Sequence, residues 1–174
     1  VCMVILLAPQ VGAFETDLTV NGLKQAATNI NQTKVMTERA DANSLGIADG
    51  TMLIGDSVAL RANTALQTAL PGAQINAQVS RTTKTANEIM LNNSQNKFLP
   101  KMVVIATGVN NPENYKEDWD SIVKNLPKGH HMVLVTPYEG DKTKETYATV
   151  EKAAAYMREL AEKTPYITIA DWNQ

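Results

Sequence analysis

Cysteine is nearly absent from these 174 residues: the one thiol is Cys2. A disulfide framework and a thiolate metal site are thereby excluded, and a cysteine-free globular part is compatible with an oxidising compartment. An excess of one charge is lacking too. Sixteen Lys and Arg stand against eighteen Asp and Glu, for a net charge of −2 and no basic stripe, which argues against a nucleic-acid partner. No apolar run reaches the roughly 20 residues that a bilayer-spanning helix needs. Histidine is scarce, with only His130 and His131, and neither an internal repeat nor a low-complexity block is found. What is left is 44% hydrophobic, enough to bury the core of one ordinary domain without staples, with material to spare.

That extra material lies at the start. Residues 1–14 begin with the nearly all-apolar Val1–Ala8 and trail through Val11 to Phe14. They are too short to span a membrane and lack the basic n-region of a signal peptide. Because the chain opens on Val, this stretch is expected to be the outer end of a transmembrane helix whose start is missing; a buried core segment is the other reading. Residues 15–50 are polar and rich in Thr, Asn, Gln and Ala, with three basic and five acidic side chains. They cannot bury enough surface to fold tightly and are expected to form an extracellular linker, with a helical piece around Lys34–Ala42. The non-basic flank favours the outer side of the membrane.

From Thr51 to Gln174 the pattern alternates. Apolar strands are predicted at Met52–Ile54, Gln74–Val79, Met102–Thr107, His131–Thr136 and Tyr166–Ala170. Helices are predicted at Val58–Leu70, Thr83–Lys97, Glu113–Asn125 and Lys144–Lys163, the last with apolar positions close to a 3.6-residue period. Continuous apolar strands alternating with helices imply a parallel sheet covered on both faces. In such sheets ligands bind beyond the carboxyl ends of the strands. Those ends carry Gly55-Asp56-Ser57, Val79-Ser80-Arg81, Gly108-Val109-Asn110-Asn111, Pro137-Tyr138-Glu139 and Asp171-Trp172.

Strand, tight turn, serine, helix is the geometry that raises a nucleophilic hydroxyl at a sheet edge beside a helix N-terminus. Gly55 is read as the residue that tolerates positive φ in that turn. Ser57 therefore has two readings, nucleophile or helix cap. A serine nucleophile needs a base, yet His130 and His131 open the fourth strand and belong to the opposite edge, roughly 17–20 Å away. Asn110 is an oxyanion donor, together with the N–H groups of Ser57 and Val79, or the holder of a turn. Arg81 is a candidate for binding an acceptor, or a partner of a local carboxylate. Asp171 either orients a base or caps the backbone beyond the fifth strand. Glu139 and Asp141 read as solvated, and Trp119 as packing; Trp172 is a candidate to line a sugar site.

Gly55-Asp56-Ser57 and Gly108-Val109-Asn110 resemble blocks I and III of the SGNH (GDSL-like) hydrolases. Leu53–Ala59, Ala77–Thr83 and Ala106–Asn110 resemble more closely the extracellular domain of the OatA-type peptidoglycan O-acetyltransferases, over Thr51–Gln174. The resemblance implies a flavodoxin-like three-layer α/β/α fold, here without its C-terminal helix. It implies Ser57 as the acetyl-carrying nucleophile, Asn110 in the oxyanion hole and the Val79 N–H as a third donor where many relatives have glycine. It also implies no cofactor or metal. The acetyl donor would come through a membrane acyltransferase domain of the same protein, and the acceptor would be the C6 hydroxyl of N-acetylmuramic acid, at the outside of a bacterial cell membrane. The family's Asp-x-x-His, which supplies base and orienter, occurs nowhere in the chain. The expectation is therefore a fragment truncated at both ends, with little activity by itself. An esterase or deacetylase, and a non-catalytic glycan-binding module, are the alternatives.

Overall fold

The computed structural model describes residues 42–172. The strands are β1 (Thr51–Gly55), β2 (Gln74–Ala77), β3 (Met102–Ala106), β4 (His131–Val135) and β5 (Ile167–Ala170), in the spatial order β2-β1-β3-β4-β5. Every pairing is parallel. This is the flavodoxin-like order, with its switch point at β1, where successive strands leave to opposite sides. The helices are α1 (Ser57–Arg61), α2 (Asn63–Ala69), α3 (Thr83–Gln95), α4 (Tyr115–Asn125) and α5 (Tyr147–Lys163), with a 3-10 turn at Pro112–Asn114.

Alternation along each strand divides the core in two. Met52, Ile54, Val103, Ile105, Met132, Leu134 and Ile167 point to one face, where they pack with Ala86 and Met90 of α3, Trp119 and Ile122 of α4 and Met157 of α5. Trp119 is fully buried there, so it is packing. Leu53 and Val104 point to the other face and pack with Ala59 of α1 and Leu66 of α2. That second layer lies over β1 and β2. Over β3, β4 and β5 the same face is thinly covered: Met102, Val133 and Val135 are half-buried, and Thr168 and Ala170 are exposed.

Local chemistry moves several predicted boundaries. The single helix expected over Val58–Leu70 is two, because Ala62 (φ −84°, ψ 2°) leaves helical geometry between α1 and α2. β2 ends at Ala77, short of Val79, because Ser80 turns into the left-handed region at φ 58°. Thr82 caps α3 by accepting from the Thr85 N–H at 3.2 Å. The first turn expected of α4 is a 3-10 turn, which starts at Pro112 after the left-handed Asn111.

The expectation of a transmembrane protein is corrected: among the described residues no helix is long and apolar enough to cross a membrane. The segment 1–14 on which it rested lies outside the described residues. So does almost all of 15–50, including its expected helical piece.

The two faces predict different costs of truncation. Ile105→Ala, on the closed face, should lower stability by about 2–5 kcal/mol. Val133→Ala, on the open face, should cost about 1 kcal/mol or less. Urea unfolding monitored by circular dichroism measures both.

Candidate active site

The site is built from the ends of three adjacent strands. Parallel register sets Gly55 of β1 beside Ala77 of β2 and Ala106 of β3. Two residues past Gly55 comes Ser57, two past Ala77 comes Val79, and four past Ala106 comes Asn110, so all three share the carboxyl rim. Pairing runs slightly past the strands: the Asp56 N–H donates to the Ala106 carbonyl and the Gln78 N–H to the Gly55 carbonyl, each at 3.1 Å.

Gly55 is required here for a reason other than the one predicted. Its φ is not in the positive region; what it supplies is room. A Cβ on Gly55 would lie 2.4 Å from the Ala59 Cβ, so only glycine lets α1 start this close to the strand that feeds it. Gly108, by contrast, has φ 126° and does need the freedom of glycine.

Ser57 is the first residue of α1, and Asp56 is its N-cap: the Asp56 carboxylate accepts the Val58 N–H at 2.9 Å. The capping role thus falls to Asp56. Ser57 is half-buried, and its hydroxyl makes no hydrogen bond among the described residues. Val79 is an exposed turn residue. Asn110 donates one amide hydrogen to the Arg81 carbonyl at 3.1 Å; an amide nitrogen carries two, so one remains.

Arg81, the candidate for binding an acceptor, lies at the same rim with its side chain turned inward. It is 6% exposed, and its terminal nitrogens donate inward, to the Gly55 carbonyl at 3.0 Å, the Asn76 carbonyl and the Asn76 Oδ1 at 2.8 Å. The histidines lie at the other rim. His130 donates from Nδ1 to the Pro100 carbonyl at 2.8 Å, and burial lowers its pKa. His131 Nε2 shares a hydrogen bond with Thr168 Oγ1 at 2.7 Å. Asp171 is paired with Arg158 (2.7 and 2.8 Å) and accepts from Thr136 Oγ1 at 3.0 Å. Glu139 is held by Lys144 at 2.7 Å, and its pKa is lowered chiefly by that hydrogen bond.

Beside the rim, on the α1 face, is an apolar cavity of about 400 Å³. Val58, Ala59, Val135, Tyr138 and Trp172 line it, and Ser57 and Asn110 do not. Nothing in the alternation pattern marks this cavity, because it depends on how far the helices extend over the sheet. Among the described residues no cluster of three or more His, Cys, Asp or Glu is placed to hold a metal ion.

Asp56 is 3% exposed. Burial raises its pKa against the opposing pull of backbone N–H groups and the Arg81 charge. A raised folded pKa means the native state binds this proton more tightly than the unfolded chain. The resulting stabilisation is fully present below the unfolded carboxyl pKa and is lost as pH rises through the folded one. Asp56→Asn keeps a capping oxygen and removes the titration. The stability of the parent relative to this variant should therefore fall as pH rises from below the ordinary carboxyl pKa of about 4 through the raised folded one, as paired urea titrations would show.

No protein-family model and no curated protein matches the chain. Solved structures do. The chain is 96% identical to the C-terminal catalytic domain of peptidoglycan O-acetyltransferase A (OatA) from Streptococcus pneumoniae, solved with a methylsulfonyl adduct. That match covers 74% of this chain and 72% of the other, with a TM-score of 0.73. A GDSL-like lipase from Bacteroides thetaiotaomicron is 14% identical, over 85% of this chain and 76% of that one, with a TM-score of 0.55. A protein assigned as an acylhydrolase from Bacteroides fragilis is 12% identical, over 77% and 75%, also at 0.55. These last two share the fold.

Proposed function

The chain belongs to the OatA-type peptidoglycan O-acetyltransferases, as part of their SGNH catalytic domain with its O-acetyltransferase/esterase function, and on that premise we propose that Ser57 carries an acetyl group from a donor to the glycan of peptidoglycan. The 96% identity to a catalytic domain carries this reading; the common rim of Ser57, Val79 and Asn110 supports it.

In the proposed reaction the Ser57 Oγ attacks the acetyl carbonyl of the donor. The carbonyl oxygen becomes an oxyanion and accepts from the Ser57 N–H, the Val79 N–H and the remaining amide hydrogen of Asn110. Collapse expels the donor's alcohol or thiol and leaves acetyl-Ser57. A sugar hydroxyl, the C6 hydroxyl of N-acetylmuramic acid, then attacks the same carbonyl, passes through a second oxyanion in the same hole and departs as the acetyl ester. The start of α1 lies beside both oxyanions and favours negative charge there.

Each half-reaction needs a base to take the hydroxyl proton. Both histidines lie at the far rim, and Asp171 is engaged by Arg158. The proposal therefore takes the base from outside these 174 residues. It takes the acetyl group from a membrane acyltransferase domain of the full-length protein, with transfer on the outer side of the cell, where peptidoglycan lies.

In the full-length gene product, Ser57→Ala should abolish both turnover of a chromogenic acetyl ester and the acetylated-protein mass seen on rapid quenching. Asn110→Ala should lower kcat about a hundred- to a thousandfold; an unchanged rate would return Asn110 to turn structure. The 174-residue chain alone should give little Ser57-dependent turnover, and robust turnover there would show that the base lies within it.

A further inference from the structure

We infer that Arg81 is a positioning residue for acetyl transfer, because it holds the Gly55–Asp56 peptide, one residue ahead of Ser57, with its guanidinium and the amide of Asn110 with its own carbonyl. The inference rests on the acetyl-transfer reading of this rim and adds a residue that touches neither donor nor acceptor.

Three observations meet at this residue, two at its side chain and one at its backbone. Its Nη1 reaches the Gly55 carbonyl at 3.0 Å and the Asn76 carbonyl as well. Its Nη2 reaches Asn76 Oδ1 at 2.8 Å and lies 3.5 Å from Gln78 Oε1. Its carbonyl accepts the Asn110 Nδ2 at 3.1 Å. The Gly55–Asp56 peptide is thereby gripped from both sides, by Arg81 and the Gln78 N–H on its oxygen and by the Ala106 carbonyl on its N–H. The next residue is Ser57. One residue thus sets the nucleophile's turn and one oxyanion donor in a common frame.

A purely structural tie between β1 and β2 would not need a cation. Those strands already pair from Met52 with Gln74 to Gly55 with Ala77. Arg81 is nonetheless 6% exposed, its hydrogen-bond acceptors are neutral amide oxygens, the Asp56 carboxylate acts on it only through space, and its Nε is buried without a partner among the described residues. Burying a charge this way is costly. A planar fork can meet two carbonyls and a side-chain amide at once, where a lysine ammonium on a flexible stem offers one point charge. The left-handed turn at Ser80 precedes Arg81 directly, and such backbone strain in a non-glycine residue is kept only where the surroundings over-determine it.

The test uses the full-length gene product and steady-state turnover of 4-nitrophenyl acetate, with Ser57→Ala alongside. Arg81→Met should lower kcat about ten- to a hundredfold with KM changed less than about twofold. Arg81→Lys should recover only part of the loss. Free guanidinium at millimolar concentration should raise the kcat of Arg81→Ala, whereas urea should not. If Arg81→Met keeps its kcat, or guanidinium rescues nothing while the variant is folded by circular dichroism, the proposal is overturned. If the Arg81 variants do not fold, Asn76→Ala decides. It removes one guanidinium acceptor and should lower kcat severalfold at constant KM; an unchanged kcat overturns the proposal. Activity retained by Ser57→Ala would overturn the acetyl-transfer reading itself and this inference with it. An inactive Ser57→Ala beside a fully active Arg81→Met would overturn only the inference.

Discussion

The contact between Gly55 and Ala59 is the constraint on which the rest of the carboxyl rim depends. At 2.4 Å from the Ala59 Cβ, a side chain at position 55 would push α1 off the end of β1. With glycine there, helix and strand meet in a single turn. Asp56 falls at the cap, where its carboxylate takes the Val58 N–H, and Ser57 falls at the first helical position with its hydroxyl unclaimed. Removing that closeness would shift Ser57 relative to β3, and with it the peptide that Arg81 and Ala106 grip from opposite sides.

The parallel sheet does the gathering. Because β2, β1 and β3 run in one direction in register, residues far apart in the chain leave them at the same height. Val79, Ser57 and Asn110 arrive together for that reason, and His130 and His131 are excluded for the same reason: they stand where β4 begins. The rim collects hydrogen-bond donors and a hydroxyl, while the titratable groups near it are spent on structure. Asp171 holds Arg158, Glu139 holds Lys144, and the buried Asp56 caps a helix. In the proposed reading this division matters, since donors aimed at a developing oxyanion act through fixed placement, and fixed placement is what paired and buried neighbours provide.

The open part of the second sheet face is the counterpart of that order. Three helices close one face around Trp119, Met90 and Leu134, whereas α1 and α2 reach only across β1 and β2. The apolar cavity beside Val58, Tyr138 and Trp172 lies on this lighter side. It is apolar because Val58, Ala59 and Leu66 of the two short helices form one wall and Leu53, Ala106 and Val135 of the sheet, with Pro137 and Trp172 beyond it, form the other.

Alternation of apolar runs with amphipathic stretches was enough to specify five parallel strands, the helices between them and the two rims, because both periodicities are written locally in the residue pattern. Gly-Asp-Ser after one strand and Gly-Val-Asn after another pointed to the SGNH hydrolases, and the longer stretches Leu53–Ala59, Ala77–Thr83 and Ala106–Asn110 to the O-acetyltransferases among them. Boundaries slipped where a single residue broke the pattern without changing its hydrophobicity, as at Ala62 and Ser80. The inward commitment of Arg81, the spatial rather than torsional need for Gly55 and the cavity under Trp172 were beyond the sequence. Each depends on the distance between atoms brought together from separate strands, and side-chain type and spacing carry no record of which acceptor a long, charged side chain will meet once the sheet has formed.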